Sequence, residues 1–134
     1  MQTQQLSVGV VIAALPLSLL VVAILYINEF PDYVADKKAG KNTLVVRLGQ
    51  AQARPIYAIL IGLSFITVIV GVIYNSLPWF SLICLLALPL GFFSIKRLYT
   101  DYDKPTALIP AIKNTILLHT SVGILLILVF LYPI

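Results

Sequence analysis

One uncharged stretch decides the fold: residues 55–95 read PIYAILIGLSFITVIVGVIYNSLPWFSLICLLALPLGFFSI. A helix needs about 20 apolar residues to cross the hydrocarbon core of a bilayer, so this stretch is roughly twice as long as one membrane span requires. The cluster NSLP at residues 75–78 is typical of a turn. The stretch therefore predicts two transmembrane helices, near residues 56–74 and 79–95, with a tight turn between them.

Two further apolar runs flank this pair, near residues 6–28 and 114–132. As a helix, the first run reaches roughly 33 Å, which is enough to cross a bilayer core. Residues 1–28 contain no Lys or Arg, so the basic start of a secretory signal is missing and the run is predicted to be a membrane span.

Composition gives the same result for the whole chain of 134 residues. It is 60% hydrophobic and 10% charged, with a mean hydropathy of +1.03, whereas soluble domains carry about 25% charged residues. We therefore predict an all-α polytopic membrane bundle of about four transmembrane helices, which excludes a soluble protein. The net charge of +4 is interpreted through its placement along the chain and not as a sign of nucleic-acid binding.

The basic residues indicate an orientation in the membrane. All nine Lys and Arg residues lie in two polar segments, 29–54 and 96–113, which four spans place on the same side. The positive-inside rule predicts that this side is cytoplasmic. Both ends of the chain would then lie outside, and a chain that starts outside with no basic residue before its first span is expected to be cut from a longer protein.

The first polar segment carries the candidate chemistry. Asn28, Asp32 and Asp36 are spaced four apart, which on a helix keeps them on one face at axial steps of about 6 Å. Two carboxylates and an amide form a hard oxygen-ligand set, and Mg²⁺ prefers one or two carboxylates completed by water and substrate phosphates. Pro31 complicates this geometry, because it is expected to break or kink the helix between Asn28 and Asp32.

Basic residues follow the acids closely, and Lys37, Lys41 and Arg47 are candidates for contacts with phosphate oxygens. A magnesium site beside a basic cluster at a membrane surface suits a lipid diphosphate. A simpler interpretation stays open at this point, because a helix end rich in acids and lysines is usually a solvated flank of a membrane span.

The longer string NEFPDYVADKKAGKNTLVVRLG, residues 28–49, is more specific. It resembles the second aspartate-rich motif of the UbiA superfamily of intramembrane prenyltransferases. Its continuation GKNTLVVRLG is most similar to the branch that prenylates 1,4-dihydroxy-2-naphthoate in menaquinone and phylloquinone biosynthesis. The downstream layout of apolar spans is similar as well.

The resemblance implies a fold of nine helices around a cavity that opens to lipid, in which two aspartate-rich motifs bind Mg²⁺ and a polyprenyl diphosphate. Departure of the diphosphate leaves an allylic cation that an electron-rich aromatic acceptor attacks. On this chain the resemblance places Mg²⁺ ligands at Asp32 and Asp36, with Asn28 one turn before, and diphosphate contacts at Lys41, Arg47 and Lys37. It gives no separate catalytic residue.

The chain departs from the family pattern because it holds one such motif. We therefore expect it to be the C-terminal half, with the sixth to ninth helices, and to be inactive without an N-terminal half that bears the first motif. The expected location is a bacterial or archaeal cell membrane. Two alternatives stay open: a non-enzymatic four-span subunit or assembly partner, and a UbiA-like enzyme with another aromatic acceptor.

Overall fold

The computed structural model describes residues 8–132, and within them every regular element is helical. The α-helices are, in order, α1 (Val8–Asn28), α2 (Tyr33–Lys38), α3 (Leu44–Leu48), α4 (Gln50–Ile73), α5 (Leu88–Asp101) and α6 (Ile109–Leu131). A 3₁₀ segment, Trp79–Ala87, leads into α5, and a shorter one, Thr106–Leu108, leads into α6. Four helical stretches are long and apolar enough to cross a membrane, so the predicted all-α polytopic bundle is confirmed.

Three of these stretches extend beyond the apolar runs that predict them, always at the end nearer the charged residues. The helix predicted from residue 56 begins at Gln50, the one predicted to end at residue 95 continues to Asp101, and the last begins near Thr106 in place of residue 114. Hydropathy shows where the side chains change from apolar to polar. The backbone hydrogen bonds of a helix can continue past that point into the polar layer. The apolar runs therefore predict the number of long helices, and they underestimate how far three of these helices continue into the charged segments.

The segment between α1 and α4 folds into two short helices. As expected, Pro31 interrupts the helix: α1 ends at Asn28, a turn follows, and α2 begins at Tyr33. Pro31 offers no N–H to a helix ladder, and the residue before a proline avoids the helical region. Asn28 and Asp36 consequently lie on different helices.

The bundle is organised around α4 and α6. Helix α1 packs mainly on α4, and α5 packs mainly on α6. Hydrogen bonds of polar side chains also join helices within the membrane-spanning stretches: Ser64 Oγ on α4 donates to Pro16 O on α1 at 3.0 Å, and Tyr57 Oη on α4 lies 2.7 Å from Thr115 Oγ1 on α6. Such cross-helix bonds hold helices together where lipid gives little hydrophobic driving force.

Small residues allow the closest approaches. A Cβ on Gly71 would lie 2.7 Å from Leu77 Cδ1, and one on Gly91 would lie 2.9 Å from Ile61 Cγ2. Gly71 O also accepts the N–H groups of Ser76 and Leu77, which folds the turn after α4 back onto the helix. The charged ends of α4 and α5 meet at the other end of the bundle, where Arg54 Nη1 donates to Tyr99 O at 2.9 Å.

Candidate functional site: an aspartate-rich segment beside the α4 start

The two aspartates of the predicted site lie one helical turn apart. Asp32 is the N-cap of α2 and makes no side-chain capping bond, and its carbonyl accepts the Asp36 N–H at 2.8 Å. Asp32 is exposed, whereas Asp36 is 8% exposed. The pair therefore offers one exposed carboxylate, at the N-cap of α2, and one largely buried carboxylate a turn later in the same helix.

Asn28 is placed differently from its two sequence partners. It is the last residue of α1, and its Nδ2 donates to Ile24 O at 2.8 Å within that helix. The break at Pro31 separates it from α2. The structure thus places Asp32 and Asp36 one turn apart at the start of α2, and it places Asn28 at the end of the preceding helix.

Lys41 is the closest cation to the aspartate pair. Its Nζ lies 3.0 Å from Asp36 Oδ1, and its own side chain is largely exposed. The hydrogen bond to Asp36, together with the charge of that carboxylate, raises the pKa of Lys41 above its usual value. Lys41 is therefore a charged ammonium at neutral pH, held beside one of the two carboxylates.

The other two predicted diphosphate contacts, Lys37 and Arg47, are exposed, and unlike Lys41 they form no ion pair with the residues that the structure describes. Lys37 Nζ lies 5.6 Å from the centre of the Tyr33 ring, within range of a cation–π contact. Arg47 lies in the last turn of α3. Both side chains are thus exposed, and of the three predicted diphosphate contacts Lys41 is the one that forms an ion pair with Asp36.

The donor set fits Mg²⁺ in part. Two carboxylates one turn apart match the one or two that Mg²⁺ takes from protein, with waters and phosphate oxygens supplying the rest. Within residues 8–132 there is no cluster of three or more His, Cys, Asp or Glu side chains that would cage a metal ion. The two carboxylates therefore suit a metal ion that takes its remaining ligands from water and phosphate.

A second set of contacts fixes this segment to the rest of the bundle. Glu29 Oε2 accepts the Val45 N–H at 3.1 Å, and Thr43 Oγ1 accepts the Val46 N–H at 3.2 Å. Both bonds satisfy free N–H groups at the start of α3, as N-terminal caps do. Glu29 thereby closes the chain from the end of α1 to the start of α3, around the loop that carries the aspartates.

The first turn of α4 supplies two contacts that sequence reasoning missed. Gln50 Nε2 donates to Phe30 O and to Tyr102 O, both at 3.0 Å. One turn later, Arg54 donates from Nη1 to Tyr99 O at 2.9 Å and lies 4.5 Å from the Tyr102 ring centre. No feature of the sequence distinguishes Gln50 from the nearby Gln52, so these bonds were not predictable from it.

In the second polar segment, Asp101 forms ion pairs with two basic residues of the same segment. Asp101 accepts contacts from Arg97 at 3.3 Å and from Lys104 at 3.1 Å. These neighbours lie four residues before it and three after it. Asp101 therefore holds the turn between α5 and α6 and takes no part in the aspartate pair of α2.

Comparison with known proteins agrees with the motif. The model of the UbiA prenyltransferase family matches residues 1–113. Curated proteins named 1,4-dihydroxy-2-naphthoate octaprenyltransferase are similar: that of Haemophilus influenzae is 33% identical over 67% of this chain and 29% of its own length. The Escherichia coli protein is 31% identical over 87% of this chain and 37% of its own. The Bacillus subtilis protein is 29% identical over 93% and 40%.

The chain thus spans about a third of the length of the curated relatives it matches. No solved structure matches it. The family match extends over most of the chain and includes the aspartate pair, the two short helices, α4 and α5, and it ends in the first turns of α6. This chain belongs to the UbiA prenyltransferase family.

Proposed function

We propose that this chain contributes one half of a Mg²⁺-dependent site that transfers a prenyl group from a polyprenyl diphosphate to an aromatic acceptor. The observation that carries the proposal is the Asp32–Asp36 pair, one turn apart and beside Lys41, at the end of a membrane-spanning helix. A lipid diphosphate presents its charge at this level of a bilayer while its chain stays in the hydrocarbon.

In the proposed reaction, the bond between the allylic carbon and the diphosphate oxygen breaks, and the diphosphate leaves with the electron pair. A ring carbon of the acceptor then forms the new C–C bond and loses its proton. The negative charge that develops on the leaving group would be neutralised by a bound Mg²⁺. Asp32 and Asp36 would hold that ion, and Lys41, Lys37 and Arg47 would contact the phosphate oxygens. In the complete site, the apolar helices of both parts together would exclude water and so protect the allylic cation.

The proposed acceptor is 1,4-dihydroxy-2-naphthoate, which places the reaction in menaquinone biosynthesis. Two observations support this choice: the string at residues 28–49 resembles the naphthoate branch, and three relatives carry that substrate in their names. The polar segments are proposed to face the cytoplasm of a prokaryotic cell membrane, because all nine basic residues lie in them.

A complete site is proposed to need a second acidic motif from helices other than these. The sequence contains one Asp-x-x-x-Asp pair, and a diphosphate cradled from two sides requires ligands opposite that pair. These helices would belong to another part of the same protein or to another polypeptide.

The test replaces the aspartates in membranes where this chain takes part in prenyl transfer. Asp32→Ala and Asp36→Ala are each expected to lower Mg²⁺-dependent product formation by more than about a hundredfold. This exceeds the loss typical when an outer-shell partner of a metal ligand is replaced. Asp103→Ala is the matched control, since Asp103 is exposed and lies in the other polar segment. Full activity of both α2 variants would place the site elsewhere, and a loss confined to Asp103→Ala would place it on the α5–α6 turn.

A further inference from the structure

Gln50 lies near the end of the first polar segment and bonds both to the start of that segment and to the second one. A primary amide has two N–H groups on Nε2, and in Gln50 this nitrogen donates at 3.0 Å to Phe30 O and at 3.0 Å to Tyr102 O. The acceptors lie 20 and 52 residues away along the chain. One side chain thus links the turn before α2 to the turn after α5.

The link to Phe30 bears directly on the aspartates. Phe30 is followed by Pro31 and then Asp32, the N-cap of α2. Proline fixes its own φ and restricts the residue before it, so little rotational freedom separates the Phe30 carbonyl from the start of α2. The Phe30 side chain is fully buried, with its ring 5.7 Å from that of Tyr26. Burial holds the ring, and Gln50 holds the carbonyl.

The backbone around Gln50 also aims the side chain. Gly49, which separates α3 from α4, has a φ of +83°, a conformation that glycine adopts readily and other residues rarely do. This turn sets the first residue of α4 against both carbonyls. Arg54, one turn later in α4, adds contacts between the start of α4 and the end of α5, because it contacts Tyr99 and Tyr102.

We propose that Gln50 is a positioning residue that locks α2, and with it the Asp32–Asp36 pair, against the turn between α5 and α6. It acts through the Phe30 carbonyl and does not touch metal or substrate. The inference rests on the proposed function for its catalytic consequence, but the lock itself is a property of the chain. A residue that merely satisfied two carbonyls could be replaced without any change in metal affinity.

The first measurement is the distance between α2 and the α5–α6 turn. Spin labels are attached at Lys38→Cys and Asp103→Cys, both exposed positions, in a Cys84→Ala background of the full chain in lipid nanodiscs. Double electron–electron resonance is expected to give a narrow distribution for the wild-type link. Gln50→Leu removes both donors, and Gln50→Glu keeps the shape while it turns a carboxylate towards two carbonyls. Both are expected to broaden the distribution. Gln52→Leu, on an exposed position of the same helix, should leave it narrow.

The second measurement is the Mg²⁺ dependence of prenyl transfer in membranes where the wild-type chain is active. Gln50→Leu is expected to raise the half-saturating Mg²⁺ concentration by about tenfold, as outer-shell partners of metal ligands do, and high Mg²⁺ should restore most of the rate. Asp36→Ala should not be restored in this way. A rate loss at every Mg²⁺ concentration would indicate a structural role only.

The two failures can be told apart. A Gln50→Leu chain with a distribution as narrow as wild type would overturn the lock, whatever the activity. A broadened distribution with unchanged Mg²⁺ dependence would overturn the positioning role. Absence of product from membranes in which the wild-type chain is co-expressed with a segment that bears a first aspartate motif would instead contradict the proposed function. The resonance measurement would still decide whether Gln50 links the two segments.

Discussion

Lys41 is held on Asp36 twice. The Lys41 backbone N–H donates to Asp36 O at 2.9 Å, and the Lys41 ammonium lies 3.0 Å from Asp36 Oδ1. Gly40, between them, has a φ of +71°, which lets the chain reverse directly after α2. A cation therefore already sits on the more sheltered of the two carboxylates proposed to bind metal, and it must share or leave that carboxylate when a metal ion arrives.

This pairing predicts opposite effects of one substitution on two affinities. In Lys41→Gln, the ammonium no longer competes for Asp36, so a divalent ion alone should bind the chain severalfold more tightly. The same change should weaken binding of an ion together with inorganic diphosphate, because a positive charge near the phosphate oxygens is lost. Mn²⁺ binding followed by electron paramagnetic resonance, with and without diphosphate, measures both.

Lys38→Gln is the control for this prediction. Lys38 is also exposed and is the last residue of α2, but it has no ion pair with an aspartate in the part of the chain that the structure describes. It should change neither affinity appreciably. Equal behaviour of the two glutamine variants would show that the Asp36–Lys41 contact has no influence on metal binding.

The aspartate segment illustrates what sequence can and cannot predict. Four apolar runs predicted four membrane-crossing helices, because burial in lipid leaves a plain hydropathy signal. Pro31 predicted the break after Asn28, because its ring and missing N–H act locally. By contrast, the bonds of Gln50 join residues far apart in sequence, and nothing local distinguishes it from Gln52. Long-range hydrogen bonds become visible only when the helices are assembled.

Gly49 is predicted to be the most sensitive glycine of the polar segment. It has a φ of +83° and a ψ of 144°, a region open essentially to glycine alone, so Gly49→Ala is expected to destabilise the α3–α4 turn by about 1–3 kcal/mol. A Cβ added at this position would meet no atom within 4 Å, so the cost arises from the backbone alone. Thermal unfolding in detergent micelles measures the change.

Gly62 provides the matched control for Gly49. It too has nothing within 4 Å of an added Cβ, but it lies inside α4 with an ordinary helical backbone. Gly62→Ala should therefore be neutral or should stabilise the protein by about 0.5–1 kcal/mol. If Gly49→Ala proved as mild as Gly62→Ala, the turn would not depend on the unusual backbone conformation.

The orientation in the membrane is predicted from the basic residues. Gly40 and Thr106 lie in the two charged segments, and Asn75 lies in the uncharged turn after α4. Single cysteines at these positions, in a Cys84→Ala background, should react differently with an impermeant thiol reagent added outside intact cells. Position 75 should be labelled, whereas positions 40 and 106 should react only after the membrane is opened. Labelling of position 40 with protection of position 75 would reverse the orientation.

Catalysis is predicted to need helices beyond these four spans. One aspartate pair can hold a metal ion from one side, but a diphosphate clamp requires ligands from two sides, and four helices leave a cation open to water. Membranes that contain this chain alone, in a host deleted for its own enzyme, should therefore form no prenylated naphthoate. Co-expression with a segment that bears a first aspartate motif should restore product, since helices that insert independently can associate afterwards by packing. Co-expression of the Asp32→Ala chain should not. Robust Mg²⁺-dependent product from the chain alone would contradict this prediction and would indicate an oligomer that builds both sides of the site from one motif.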